Sequence, residues 1–276
     1  MGEDIPVVIL AGGKGMRMSD YEPLLPKALV RIGPYPVILH VMKIYAFYGF
    51  KRFIIAIGHK GEKIKEFFKN LEWTANDFTL RLGGSKKVEM ESHLPSDWLD
   101  YTITFAETGE DTMTGGRVKK VEKYIDADDF FVTYCDGLAN INIRKEYEFH
   151  KKKGKMGTLT LVRPMSPFGV VELGEDGVVR SFREKPFMNT YINGGFFVFK
   201  RKFLDRLGEN SVLEEEPMRA LVAERQLAGY PHDGFWACMD TGKDVMRLNE
   251  LWRTGVMPHT GYRAEGKVAP WFNLEK

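Results

Sequence analysis

Four segments of the chain carry residues suited to handling a polyphosphate. The first is Leu10-Ala11-Gly12-Gly13-Lys14-Gly15-Met16-Arg17. Glycines directly after an apolar run let the backbone turn tightly and aim its amides at an anion. Lys14 and Arg17 add positive charge. The spacing is not that of a P-loop, which needs Gly-Lys-Ser/Thr after four intervening residues. Met18 stands where the third glycine of a dinucleotide fingerprint belongs. Taken alone, the segment serves equally as a phosphate cradle or as an ordinary glycine-rich turn. The second is Lys27 in Leu25-Pro26-Lys27-Ala28-Leu29. It suits either a point charge delivered to a phosphate or a lysine whose stem lies along apolar surface.

The third is a pair of acids. Asp136 ends the apolar run Phe130-Phe131-Val132-Thr133-Tyr134-Cys135, and Asp240 follows Phe235-Trp236-Ala237-Cys238-Met239. An acid at the carboxyl end of a buried strand lies at the rim where open α/β sheets bind ligands. Two such acids suit Mg²⁺, which takes one or two carboxylates plus substrate phosphates. Singly, Asp136 also reads as a turn former before Gly137, and Asp240 as an acid flanking a helix. The fourth is Glu184-Lys185-Pro186, followed by Ile192-Asn193-Gly194-Gly195-Phe196. Paired glycines inside a strand imply close approach by a ligand or another backbone, or else a bulge on an edge strand. The 6 histidines show no metal-ligand spacing, and neither cysteine belongs to a Cys-x-x-Cys pair.

These residues need strand ends and loops to hold them, and the hydrophobic pattern provides both. Val7 to Leu10 reads as a buried strand, Pro36 to Tyr48 as a helix with Pro36 in its first turn, Phe53 to Ile57 as a strand and Glu62 to Lys69 as a helix. Strand, helix, strand, helix is the pattern of a parallel sheet covered on both faces. Thr79 to Leu82, Val88 to Glu91 and Thr102 to Ala106 read as short strands, and Arg117 to Ile125 as helical. Phe130 to Asp136 and Thr158 to Val162 read as strands. Val170 to Leu173 and Val178 to Arg183 flank Gly174-Glu175-Asp176-Gly177 as a hairpin. Ile192 to Phe199 is a strand. Ser211 with Glu214 and Thr241 with Asp244 both have capping-box spacing and are expected to open helices.

A 43% hydrophobic share among 276 residues excludes a disordered tail, and a net charge of +2 argues against a dedicated nucleic-acid coat. No apolar run reaches the length of a membrane span, and Met1 to Pro6 shows no basic stretch leading into an apolar one. With 2 cysteines and no disulfide framework, the expectation is a cytoplasmic protein without membrane or nucleic-acid partners.

Together the segments resemble the sugar-1-phosphate nucleotidyltransferases over roughly residues 5 to 257. Within that family they are closest to the cytidylyl branch that acts on glucose 1-phosphate. Thr108-Gly109 followed by Met113-Thr114-Gly115-Gly116-Arg117 resembles the stretch that marks this branch. Gly234-Phe235-Trp236 before Met239-Asp240-Thr241 completes the match. Met16 stands where the family usually has Thr, and Cys135 where it usually has Gly. The resemblance implies a single α/β, Rossmann-like nucleotidyltransferase domain with a mixed, mostly parallel central sheet and helices on both faces. Its nucleotide-binding half is expected at about 1–145, its sugar-phosphate half at about 146–260, and a tail at 261–276. It implies CTP and a sugar 1-phosphate as substrates, with CDP-glucose and pyrophosphate as products, Mg²⁺ as cofactor and a homo-oligomer. The alternative is another phosphorylated sugar or non-sugar acceptor on the same fold. Arg17 and Lys27 are the implied catalytic residues. Leu10, Ala11, Gly12, Gly13, Gly15, Thr114, Gly115, Gly116 and Cys135 are implied for the nucleotide, and Glu184, Lys185, Asn193 and Gly194 for the sugar phosphate. Asp136 and Asp240 are implied for the metal.

Overall fold

A strand apolar on both faces is stable only when both faces are covered, and Val7-Val8-Ile9-Leu10 is such a strand. In the computed structural model of the protein, which describes residues 4–18, 21–71, 78–81, 89–92, 100–166, 168–257 and 269–272, it is β1 (Val7–Leu10). The short pair β2 (Arg31–Ile32) and β3 (Tyr35–Pro36) leads into α1 (Val37–Phe47). Next come β4 (Arg52–Ile57), α2 (Gly61–Lys69), β5 (Phe78–Arg81), β6 (Glu89–Ser92) and β7 (Thr102–Glu107). The chain continues as α3 (Thr114–Lys120), β8 (Asp129–Tyr134), β9 (Gly137–Ala139), α4 (Ile143–Lys153) and β10 (Gly157–Val162). A hairpin of β11 (Val170–Leu173) and β12 (Val179–Arg183) precedes β13 (Ile192–Lys200). Last come α5 (Glu216–Ala223), β14 (Leu227–His232), β15 (Trp236–Cys238) and α6 (Gly242–Thr254).

One seven-stranded sheet runs β14-β10-β13-β8-β1-β4-β7. β1 pairs in parallel with β4 and β8, β4 with β7, and β10 with β14, while β13 is antiparallel to both neighbours. The sheet is therefore mixed and mostly parallel, as expected. Alternate residues of β1 enter different cores. Val7 and Ile9 pack with α1 residues Val41 and Ile44 and with Leu248 of α6. Val8 and Leu10 pack with Val118 of α3 and Leu221 of α5. Helices thus cover both faces. Among the described residues, no helix is long and apolar enough to cross a membrane.

Several local expectations are corrected. Ser211 and Glu214 do not cap a helix: α5 starts at Glu216, and the Ser211 hydroxyl accepts from the Gly208 amide at 2.9 Å. The helical stretch expected from Arg117 to Ile125 begins earlier, at Thr114, and breaks into a 3₁₀ turn at Glu122–Tyr124. Pro36 sits at the N-cap of α1 rather than within its first turn. The register of β10 against β13 does shift beside Gly194-Gly195, but β13 is an interior strand and not an edge. The capping box at Thr241 and Asp244 and the hairpin across 174–177 form as expected. Leu82, Val88 and most of 261–276 lie outside the described residues.

Candidate active site

The two acids meet because β9 pairs with β15. Cys238 lies opposite Gly137, and the Met239 amide donates to the Asp136 carbonyl at 2.9 Å. Asp240 is thereby laid beside Asp136, just ahead of the N-terminus of α6. Its amide donates to Asp244 Oδ2 at 3.2 Å, which ties it to the Thr241–Asp244 capping box. Lys27 starts a 3₁₀ turn after Pro26 and points between the acids. Its Nζ lies 2.5 Å from Asp136 Oδ2 and 2.8 Å from Asp240 Oδ1. The Arg17 guanidinium donates to Asp240 Oδ2. Arg17, Lys27, Asp136 and Asp240 come from four separate stretches and form one ion-pair cluster.

Burial of the Lys27 ammonium works against its charge, but the attraction and hydrogen bond of Asp136 outweigh it and hold its pKa above the usual lysine value. Cys135 and Cys238 flank the cluster as free thiols. Burial, reinforced by the negative charge of Asp136, pushes both up to about 12, so they stay protonated and inert at neutral pH.

The glycine loop leaves β1 with its backbone anchored to β4: the Ala11 amide donates to the Ala56 carbonyl at 3.0 Å. Leu10 and Ala11 are buried, whereas Gly13 has open space around the position of a Cβ. Gly15 has φ of +59°, which favours glycine. Lys14 is drawn aside to Asp111 at 2.7 Å, and the Met16 side chain is exposed.

Arg117, expected as part of a motif and as the start of a helix, has a more specific structural role. Its buried guanidinium donates to Gly12 O at 2.8 Å, Gly109 O at 2.7 Å, Glu110 O at 3.0 Å and Thr108 Oγ1 at 2.6 Å. It fastens the glycine loop to the segment after β7. A Cβ on Gly12 would collide with it.

Thr114, Gly115 and Gly116 open α3 against the 208–215 segment. Thr114 Oγ1 donates to Glu214 Oε2 at 2.7 Å and accepts from the Leu213 amide at 2.9 Å. The Gly116 amide donates to Ser211 O at 2.9 Å. A Cβ on Gly115 would lie 2.8 Å from Ser211 O, and one on Gly116 would lie 2.0 Å from Glu209 O. These glycines are thus required by packing, and the Gly116 amide is already occupied. Glu214 also accepts from the Tyr134 hydroxyl, so it bridges α3 to the end of β8, next to Cys135 and Asp136. Glu214 was read only as a helix-opening acid; a partner 100 residues away leaves no local signal.

On the other flank, the Gly194 carbonyl accepts from Trp236 Nε1 at 2.8 Å, which links β13 to the strand leading to Asp240. Asn193 Oδ1 accepts from the Gly195 amide at 2.8 Å. Glu184 and Lys185 follow β12 and pair with each other at 3.6 Å, and Lys185 adopts φ of +47°. A cavity of about 960 Å³ runs from Asp240 and Cys238 past Trp236 and His232 to Arg163 and Phe187.

Asp136 and Asp240 both contact the one Lys27 ammonium. Such a pair, completed by substrate phosphates, is the donor chemistry Mg²⁺ takes. Asp136 and Asp240 fit it.

The family description "Nucleotidyl transferase" matches residues 6–252. A protein of Bacillus subtilis named as a probable glucose-1-phosphate cytidylyltransferase is 43% identical over 250 residues, covering 90% of this chain and 96% of that one. The glucose-1-phosphate cytidylyltransferase of Salmonella typhi is 39% identical over 254 residues, covering 91% and 97%. Among solved structures, a putative glucose-1-phosphate thymidylyltransferase from Bacillus anthracis superposes with a TM-score of 0.64 at 18% identity, covering 90% of this chain and 94% of that one. HddC from Yersinia pseudotuberculosis superposes at 0.61 with 20% identity, covering 89% and 98%. Those two likenesses establish the fold alone.

Proposed function

The chain belongs to the nucleotidyl transferase family, and from that premise we propose that it transfers a cytidylyl group from CTP to α-D-glucose 1-phosphate, releasing pyrophosphate and CDP-glucose. The observation that carries the reading is the name shared by relatives 39–43% identical over nine-tenths of the chain. The cluster of Arg17, Lys27, Asp136 and Asp240 supports it, because polyphosphate chemistry needs those charges and all are present together.

A phosphate monoester has a second pKa near ~6, so the acceptor arrives largely as a dianion and needs no general base. Its oxygen attacks the α-phosphorus of CTP in line with the departing pyrophosphate. The protein's task is then to bring two polyanions together and hold them in line. Arg17 and the amides around Gly13 and Gly15 bind the β- and γ-phosphates. Lys27, fully charged between its two acids, faces the α-phosphate. Lys185 binds the acceptor phosphate, and Glu184, Asn193 and Gly194 lie on the sugar side. Asp136 and Asp240 would hold Mg²⁺, which when bound supplies positive charge to the reacting phosphates.

A turnover screen of four nucleoside triphosphates against a panel of sugar 1-phosphates tests the reading, with pyrophosphate and nucleotide sugar both quantified. CTP with glucose 1-phosphate is expected to give the highest kcat/KM. UTP is expected to fall roughly 5- to 150-fold lower, since a site built for the 4-amino group leaves a buried partner unmatched at ~1–3 kcal/mol. Equal use of CTP and UTP, or turnover only with another acceptor, overturns the assignment.

A further inference from the structure

Thr114, expected on the nucleotide side, and Asn193, expected on the sugar side, are joined through one carboxylate. The Leu213 amide donates to Thr114 Oγ1, which leaves the Thr114 proton for Glu214 Oε2 at 2.7 Å. The other oxygen of Glu214, Oε1, accepts from the Tyr134 hydroxyl. The Asn193 side chain bonds that same hydroxyl. An ionised carboxylate only accepts, so the Tyr134 proton is committed to Glu214 and the phenol oxygen accepts from the Asn193 amide. The far end of the amide agrees. Asn193 Oδ1 faces the Gly195 N–H at 2.8 Å, which turns Nδ2 toward Tyr134. The ring is seated too: Gly195 has φ of +82°, and a Cβ there would lie 2.7 Å from Tyr134 Cδ2. Gly195 is glycine because the Tyr134 ring packs against β13 at that point.

We propose that Glu214 is a positioning residue: acting through Tyr134, it orients the Asn193 amide to receive a hydroxyl of the acceptor sugar. This rests on the reaction proposed above. An Asn side chain has two N–H groups and two oxygen lone pairs. Tyr134 takes one N–H and Gly195 one lone pair, which leaves one donor and one acceptor. A sugar hydroxyl both donates and accepts, so an amide of fixed orientation matches it. Hydrogen bonds to an ionised acceptor are stronger than neutral ones, which keeps the Tyr134 proton on Glu214. Without Glu214 the phenol proton rotates, and Tyr134 no longer dictates which end of the amide is the donor. Part of the acceptor's binding energy then goes into ordering Asn193.

Tyr134→Phe keeps the ring against Gly195 and removes only the hydroxyl. In steady-state kinetics with CTP and glucose 1-phosphate, its KM for glucose 1-phosphate is expected to rise roughly 3- to 10-fold, the kinetic equivalent of one neutral hydrogen bond, with kcat and the KM for CTP within about twofold of wild type. Glu214→Ala, at an exposed position, is expected to raise the same KM by at least as much. Tyr134→Phe/Asn193→Ala is expected to be no worse than Asn193→Ala alone, because residues acting on one string are not additive. A purely structural role would instead lower the melting temperature and move both KM values together. Should Glu214→Ala fail to fold, Tyr134→Phe and the double variant decide. An unchanged KM for glucose 1-phosphate in either single variant, equal rises for both substrates in Tyr134→Phe, or additive effects in the double variant each overturns the proposal and leaves the reaction standing. A wild type that does not join CTP to glucose 1-phosphate overturns the reaction, and the proposal with it.

Discussion

Lys27 holds its charge between two carboxylates, and that is the arrangement to perturb first. Its ammonium touches Asp136 and Asp240, and its removal leaves both acids facing each other without the cation they share. In the proposed reaction Lys27 faces the phosphorus that gains charge in the transition state. Lys27→Ala is therefore expected to lower kcat by roughly 10- to 150-fold, the kinetic equivalent of a charge-assisted contact worth ~1.5–3 kcal/mol. Asp136→Asn and Asp240→Asn are each expected to abolish most turnover. Lys185 should behave differently, because an acceptor phosphate is bound equally before and during chemistry. Removing such a contact raises KM with little change in kcat. Steady-state kinetics with each substrate varied in turn reads the difference. A Lys185→Ala variant whose KM rises for CTP but not for the acceptor would place that lysine on the wrong substrate.

At the level of elements, glycines of similar appearance have different reasons to be glycine. Gly116 lies in the first turn of α3 with the Glu209 carbonyl where a Cβ would be, and backbone cannot yield as a side-chain tip can. Gly13 has nothing within 4 Å of that position. Gly116→Ala is accordingly expected to lower the melting temperature, and Gly13→Ala to leave it unchanged while raising the KM for CTP by crowding the proposed phosphate cradle. Thermal melts paired with CTP titrations check both; a Gly13→Ala variant with wild-type KM shows that the loop does not approach the nucleotide. The same contrast explains what was legible beforehand. β1, β4, β8 and the hairpin were visible because apolar periodicity and turn glycines are local signals. The β9–β15 ladder was not, because three residues per strand carry no periodicity, yet it alone lays Asp240 beside Asp136. Ser211 and Glu214 have the spacing of a capping box, but Thr114 and Tyr134 take the carboxylate across the fold, and tertiary partners outbid a local pattern. Arg117 was visible as a motif residue, while its four acceptors on the glycine loop and the 108–110 segment were not.

For the whole molecule, β1, β4 and β8 of the expected nucleotide half and β10, β13 and β14 of the expected sugar-phosphate half belong to one sheet, joined where β13 pairs with β8. A group buried at the seam between α4 and that sheet should therefore register in global stability. Glu146 of α4 is such a group. Its Oε1 accepts from Thr160 Oγ1 of β10 at 2.6 Å, while Oε2 has no hydrogen-bond partner among the described residues. Burial pushes its carboxyl up to about 7 from an ordinary 4.5, with the Thr160 hydrogen bond acting in the opposite sense. Below 4.5 the acid is protonated in both the folded and unfolded chains, and stability does not depend on it. As pH rises from 4.5 to about 7 the unfolded chain ionises first, so stability falls; above 7 the loss is complete. At about 1.4 kcal/mol for each tenfold difference in proton affinity, the full loss is about 3 kcal/mol. Glu146→Gln keeps the acceptor for Thr160 and removes the ionisation. Urea unfolding at pH 4.5 and pH 8 should find the two proteins similar in acid and the variant more stable, by up to that amount, in base. Parallel stability profiles across this range would mean that Glu146 ionises as easily in the fold as in water, and that its burial carries no electrostatic cost.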